Sequence, residues 1–155
     1  MTKKIGGDNT MCLVTKEICA KVSNKDIICY KAVWIEPFPD IDGAMRFHAM
    51  FYRFWYRIGK LYTEDRFERR LEQDGFPGHM VRYGFHSYRW EQYAENGCMS
   101  NYGLAVLKCR IPAGTCYYES DSGAEFCSES IEILDWRFFD KPNKFSEECA
   151  STQDK

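Results

Sequence analysis

The chain has 155 residues, 45% of them hydrophobic and 28% charged, with a formal net charge of -2. That length suits one domain with its own core. The near-neutral charge gives no general attraction to nucleic acid or to an anionic membrane, so neither is an expected partner. Charge is nevertheless uneven: the stretch from Arg46 to Arg89 is net basic and the chain from Glu119 onward is net acidic. The two can pair within the fold, or the basic stretch can hold an anionic ligand.

Residues 1–10 are polar and contain Gly6-Gly7, so a flexible N-terminus is expected, followed by one globular domain over 11–140 and a disordered tail over 141–155. The eight cysteines fall largely within apolar, strand-like runs, and no signal-peptide pattern precedes them. Reduced, mostly buried thiols in a cytoplasmic protein are expected. With no CxxC pair and three scattered histidines, no metal site is expected.

Residues 26–34 are dense in β-branched and apolar side chains and predict a buried strand, ended by Pro37 and Pro39. Residues 44–62 fit a helix by the spacing of Met45, His48, Phe51, Phe54, Trp55 and Ile58, and also fit an aromatic strand. The expectation is a helix or irregular stretch followed by a strand over 55–62. Residues 64–73 are charged and rich in helix formers, which predicts a short exposed helix before the loop at 74–78. A compact strand is expected over 80–87, with Ser87 capping a helix over 88–95 that Asn96-Gly97 stops. Residues 104–111 alternate as a strand, Pro112-Ala113-Gly114 turns the chain into 115–118, and residues 130–139 form the last strand. The order predicts an α+β fold with a mixed or antiparallel sheet and one to three short helices.

Two segments can carry chemistry. Gly84-Phe85-His86-Ser87 sets a histidine and a hydroxyl after a permissive glycine, although these residues also suit a crowded turn, a packed ring and a cap. Residues 51–62 interleave aromatics with Arg53, Arg57 and Lys60, a pairing of ring faces and cations that holds planar anions such as nucleotides. The same stretch suits an element with aromatics inward and arginines outward. The acidic residues from Glu119 to Glu132 lack calcium-loop spacing and read as a solvated face.

Cys29-Tyr30-Lys31, Gly59-Lys60-Leu61-Tyr62, Gly84 to Ser87, Val106 to Gly114 and Ser130 to Leu134 together resemble an uncharacterised family of small phage- and bacteria-encoded proteins, which carries no activity over. More distantly, the layout resembles ADP-ribosyltransferase-like domains. On that resemblance Tyr30-Lys31 takes the first-strand position, with Lys31 where the family has Arg or His; Gly84 to Ser87 precedes the helix; and Glu132, with Glu129 competing, supplies the late carboxylate. The resemblance implies catalytic roles for Lys31, Ser87 and Glu129 or Glu132, and ligand contacts from Tyr30, Gly84, Phe85 and His86; the aromatic-basic stretch adds Arg53 and Arg57 as ligand contacts. The expected function is a small phage-encoded binding protein, without a cofactor, that sequesters a nucleotide-type ligand or inhibits a host factor in an anti-defence role. The alternatives are an active NAD-dependent ADP-ribosyltransferase and a protein-protein interaction module.

Overall fold

A computed structural model describes residues 13–36, 45–49, 54–71, 78–98, 104–139 and 145. In chain order these form β1 (Leu13–Thr15), β2 (Lys21–Val22), β3 (Ile27–Ile35), β4 (Phe47–Ala49), β5 (Trp55–Tyr56), β6 (Leu61–Thr63), β7 (His79–Val81), β8 (Phe85–Tyr88), helix α1 (Glu91–Cys98), β9 (Leu104–Ile111), β10 (Cys116–Glu119), β11 (Glu125–Ser128) and β12 (Ser130–Phe138). The architecture is a mostly antiparallel β-sheet with a single short helix among the described residues. The main sheet runs β2-β10-β11-β8-β3-β9-β12-β6, with β4 also on β3 and β5 on β4, while β1 and β7 form a separate pair. No helix among the described residues is long and apolar enough to cross a membrane.

β3 is central because its alternation serves two buried faces. Cys29, Lys31 and Val33 point to one side, and Tyr30, Ala32 and Trp34 to the other. Directly opposed residues of an antiparallel pair share a side, so the register of β3 with β9 gives Cys109, Leu107 and Ala105 the first face and Lys108, Val106 and Leu104 the second. The first face is the main core, where Phe47, Tyr56, Phe85, Phe126, Ile131 and Ile133 also converge.

The sheet is rolled around this core. β8 and β6 stand four steps apart in strand order, a separation of about 19 Å in a flat sheet. Yet the rings of Phe85 on β8 and Tyr62 on β6 are 6.5 Å apart, with Phe54 and Tyr56 packed on both. Phe54, Tyr56 and Tyr62 therefore serve the core rather than an open ring surface, while Trp55 packs with His48 and Arg46. On the second face, α1 covers Leu104 and Val106 with Ala94 and Cys98, and the β1–β7 pair closes a smaller cluster with Phe67, Leu71, Tyr118 and Cys127.

β12 carries a bulge. Ile133 faces Cys109 and Asp135 faces Lys108, so Leu134 is an extra residue. Ile131 and Ile133 enter the main core before it, Trp136 packs on that core after it, and Asp135 and Arg137 are carried to the helix side. Arg137 is buried there. Its guanidinium pairs with the carboxylates of Glu91, at 2.7 Å, and Glu95, and donates to the carbonyls of Phe138 and Phe139.

Several expectations need correction. The described part of 64–73 is not helical: the Ala20 amide donates to Arg69 O and the Leu71 amide to Ile18 O, and Phe67 and Leu71 enter the small core. Backbone pairing and burial outweigh helix propensity in this segment. The strand over 80–87 is two strands broken at Gly84, Tyr88 is strand rather than helix, and α1 starts later, at Glu91. Ser87 is therefore a sheet residue and caps nothing, while Gly97 lies inside the helix rather than ending it. Residues 47–49 are strand, not helix, and β11 appears where only a solvated acidic face was expected. The N-terminal segment 1–10 and nearly all of the tail fall outside the described residues. The exception is Phe145, whose ring lies 6.4 Å from that of Tyr30 and near the cations of Lys108 and Arg137.

Candidate functional site

Of the residues picked from the sequence, Lys31 and Ser87 do come together, on the core face of neighbouring strands. Lys31 is only 7% exposed. Its Nζ donates to the carbonyl of His86 and lies 5.2 Å from the Tyr56 ring centre. Burial pushes its pKa down, and the charges that oppose that shift are thiols: Cys109, Cys29 and Cys127. Ser87 is fully buried, and its hydroxyl, without a conventional hydrogen-bond partner, adjoins the Cys29 sulfur.

The carboxylates stand elsewhere. Glu129 sits between β11 and β12 and binds the Arg69 guanidinium at 3.0 Å. Glu132 pairs with Arg110 at 2.8 Å, on the face opposite Lys31. Neither shares a cleft with Lys31 and Ser87. Gly84 adopts φ +141, and a Cβ there would stand 2.6 Å from the Cys127 sulfur, so glycine is needed for close packing as well as for backbone freedom. Phe85 is a core residue. Arg57 is half-buried, and its amide donates to the Tyr62 hydroxyl at 2.8 Å. Arg53 lies outside the described residues.

Tyr30 and His86 face the helix side. Register places Asp135, Lys108, Tyr30, Tyr88 and Glu125 in one row across five strands. His86 stands diagonally beside it, with Nε2 2.9 Å from Glu125 Oε1. That contact holds the Glu125 carboxyl below the usual range, whereas burial, with Glu91 nearby, raises the Tyr30 phenol and burial, with Glu125 nearby, raises that of Tyr88.

An open site lies at the rim of the rolled sheet. A groove of about 620 Å³ is lined by Lys21, Lys25, Asp26, Ile28, Arg89 and Tyr117 among others. β2 pairs with β10 so that Lys21 opposes Tyr117, whose ring packs 5.8 Å from Phe126 of the main core. Arg89 lies over the Phe126 ring at 4.7 Å and donates to Gly123 O and the Glu119 carboxylate. Glu119 also binds Lys21 at 2.8 Å; burial pushes its carboxyl up, but the Lys21 amine and the Arg89 guanidinium outweigh that and hold it below the usual range. Lys25 is exposed at the edge. Cations, a phenol ring and apolar flanks in a groove of this size are what a drug-sized anion with a planar part requires.

Sequence reasoning missed this groove. Arg89 was visible within the basic stretch, but Lys21 and Lys25 lie in a short polar run with no periodicity, and Tyr117 arrives from the far end of the chain. Only the β2–β10 pairing joins them. Among the described residues no group of three or more His, Cys, Asp or Glu is arranged to hold a metal ion. The chain matches no protein-family model, no curated protein and no solved structure.

Proposed function

We propose that this is a small binding protein for a nucleotide-type ligand, held in the rim groove. The observation that carries the reading is the groove itself, which gathers Lys21, Lys25, Arg89 and the Tyr117 ring around about 620 Å³. The phosphate of such a ligand takes the place of the Glu119 carboxylate between Lys21 and Arg89, while its base lies along Tyr117 and Ile28. A transferase reading has less support, because Glu129 and Glu132 are held by Arg69 and Arg110 away from Lys31 and Ser87. The test is a thermal-shift series with NAD, ADP-ribose, mononucleotides and cyclic oligonucleotides. A true ligand at a hundredfold excess over Kd raises Tm by about 5–10 °C, and Lys25→Glu, at an exposed edge, abolishes the rise without altering the unliganded Tm. A flat response across the panel removes this reading.

One surface favours a second reading, a protein-interaction module. Trp90 and Tyr93, at the start of α1, are 47% and 43% exposed, with their rings tilted against each other 5.3 Å apart. Exposed Trp and Tyr are the side chains that most often anchor interfaces. Here a co-purifying protein is lost in Trp90→Ala and retained in Lys25→Glu.

A further inference from the structure

Cys29 and Cys109 stand directly opposite each other where β3 and β9 cross the centre of the sheet. Both are fully buried, and each thiol influences the titration of the other. Directly opposed residues of an antiparallel pair hold their Cβ atoms about 4.5–5.5 Å apart, and a disulfide spans about 3.5–4.5 Å. A small inward movement of two strands is enough to join the sulfurs.

The surroundings of Cys29 differ from those of an inert core thiol. Lys31 is buried two residues along on the same face, and Ser87 Oγ adjoins the Cys29 sulfur. Burial by itself pushes a thiol up, but contact with Cys109 and Ser87 and the Lys31 amine outweighs it and leaves Cys29 below its ordinary value. Cys109, dominated by burial, is pushed well above its own. One sulfur is thus prepared to attack and the other to keep its proton until needed.

We propose that Cys29 and Cys109 are a modification site, a redox pair that closes into a reversible disulfide when a small hydroperoxide oxidises Cys29. Cys29 passes its proton to the Lys31 amine and attacks the terminal peroxide oxygen. The O–O bond breaks, Cys29 becomes a sulfenic acid, and the departing alkoxide takes up the proton from Lys31. The Cys109 sulfur then attacks the Cys29 sulfur; the S–O bond breaks, and hydroxide leaves as water with the Cys109 proton. Two thiols and one hydroperoxide give one disulfide, one alcohol and one water. Hydrogen peroxide, little larger than water, reaches the pair during local opening of the sheet. Strain in a bridge between directly opposed strands makes it easy to reduce again. Cys19, exposed, β-bridged to Arg70 and bound at its sulfur by that guanidinium at 3.3 Å, serves as an internal comparison with no opposed thiol among the described residues.

The experiment is to treat the reduced full-length chain with hydrogen peroxide under native conditions, alkylate in denaturant and map peptides without reduction. The expected product is a peptide joining Cys29 to Cys109, lost on reduction with a thiol, with the protein lighter by two hydrogen atoms. In Cys109→Ala, Cys29 is instead trapped as a sulfenic acid by dimedone. Lys31→Met closes roughly tenfold more slowly, because the amine that takes up the Cys29 proton is gone. The proposal is overturned if Cys29 and Cys109 are both recovered fully alkylated while Cys19 is oxidised. It is also overturned if the link forms as readily in urea, where the opposed register is gone.

Discussion

Lys31 is a basic amine buried beside thiols, a phenol ring and a carbonyl, with no carboxylate among the groups that influence it. Such a site disfavours the charged form, so the folded chain releases a proton that the unfolded chain keeps up to about the ordinary pKa of 10.5. Native Lys31 binds fewer protons than unfolded Lys31 across that window, and its unfavourable contribution fades as pH rises towards 10.5. Methionine keeps the stem and removes the charge. Lys31→Met is expected to be more stable than the parent by about 1 kcal/mol or more at neutral pH, with the advantage shrinking as pH rises. Denaturant unfolding of both chains across a pH series measures it; an advantage that stays constant or grows with pH contradicts the burial argument. Lys31 was legible as a candidate only through the resemblance to ADP-ribosyltransferase-like domains, and Ser87 through the Gly-containing segment as well. Their burial was not, since period-two alternation says which residues share a side but not which side meets the core.

At the scale of elements, α1 is fastened by one side chain. Glu91 and Glu95 lie one helical turn apart and grip Arg137, whose side chain has no exposure to solvent. Removing one partner of a buried pair leaves charges uncompensated, so Arg137→Ala is expected to lose about 3–5 kcal/mol. Amide exchange over residues 91–98 should accelerate more than that of β3 and β9, which keep their pairing; uniform acceleration across the molecule would contradict a local anchor. β3, β9 and β12 were readable as strands because each is a long apolar or alternating run. Short elements were not: residues 64–71 carry a helix-like composition and are held open by backbone bonds to 18–20, which no local pattern announces. β11 was hidden because Phe126 and Cys127 sit among glutamates and serines.

Across the whole molecule, the uneven charge of the sequence is resolved by pairing. Arg69 with Glu129 and Arg89 with Glu119 each join the basic middle to the acidic end, and the His86 ring bonds Glu125 across the same divide. Being partly exposed, such pairs give orientation more than stability. The central pairing of β3 with β9 joins segments far apart in the chain, and closing such loops precedes any reward from contact. Refolding is therefore expected in milliseconds to seconds rather than microseconds. Stopped-flow fluorescence from the four tryptophans reports it, and completion of the full signal in microseconds would contradict the topology. The groove belongs to this scale too, which is why it escaped sequence reading: it exists only once β2 has found β10.

The bulge in β12 makes one position of that strand unlike its neighbours. Because Leu134 has no opposite number, a chain lacking it keeps Ile133 against Cys109 and Asp135 against Lys108, and every later residue stays on its present side. A chain lacking Trp136 instead exchanges the sides beyond it, turning Arg137 inward among Leu107 and Phe47. Two deletions of equal size, two residues apart, thus have opposite fates, and a comparison of lengths among natural variants of this strand should show gaps at the first position and none at the second.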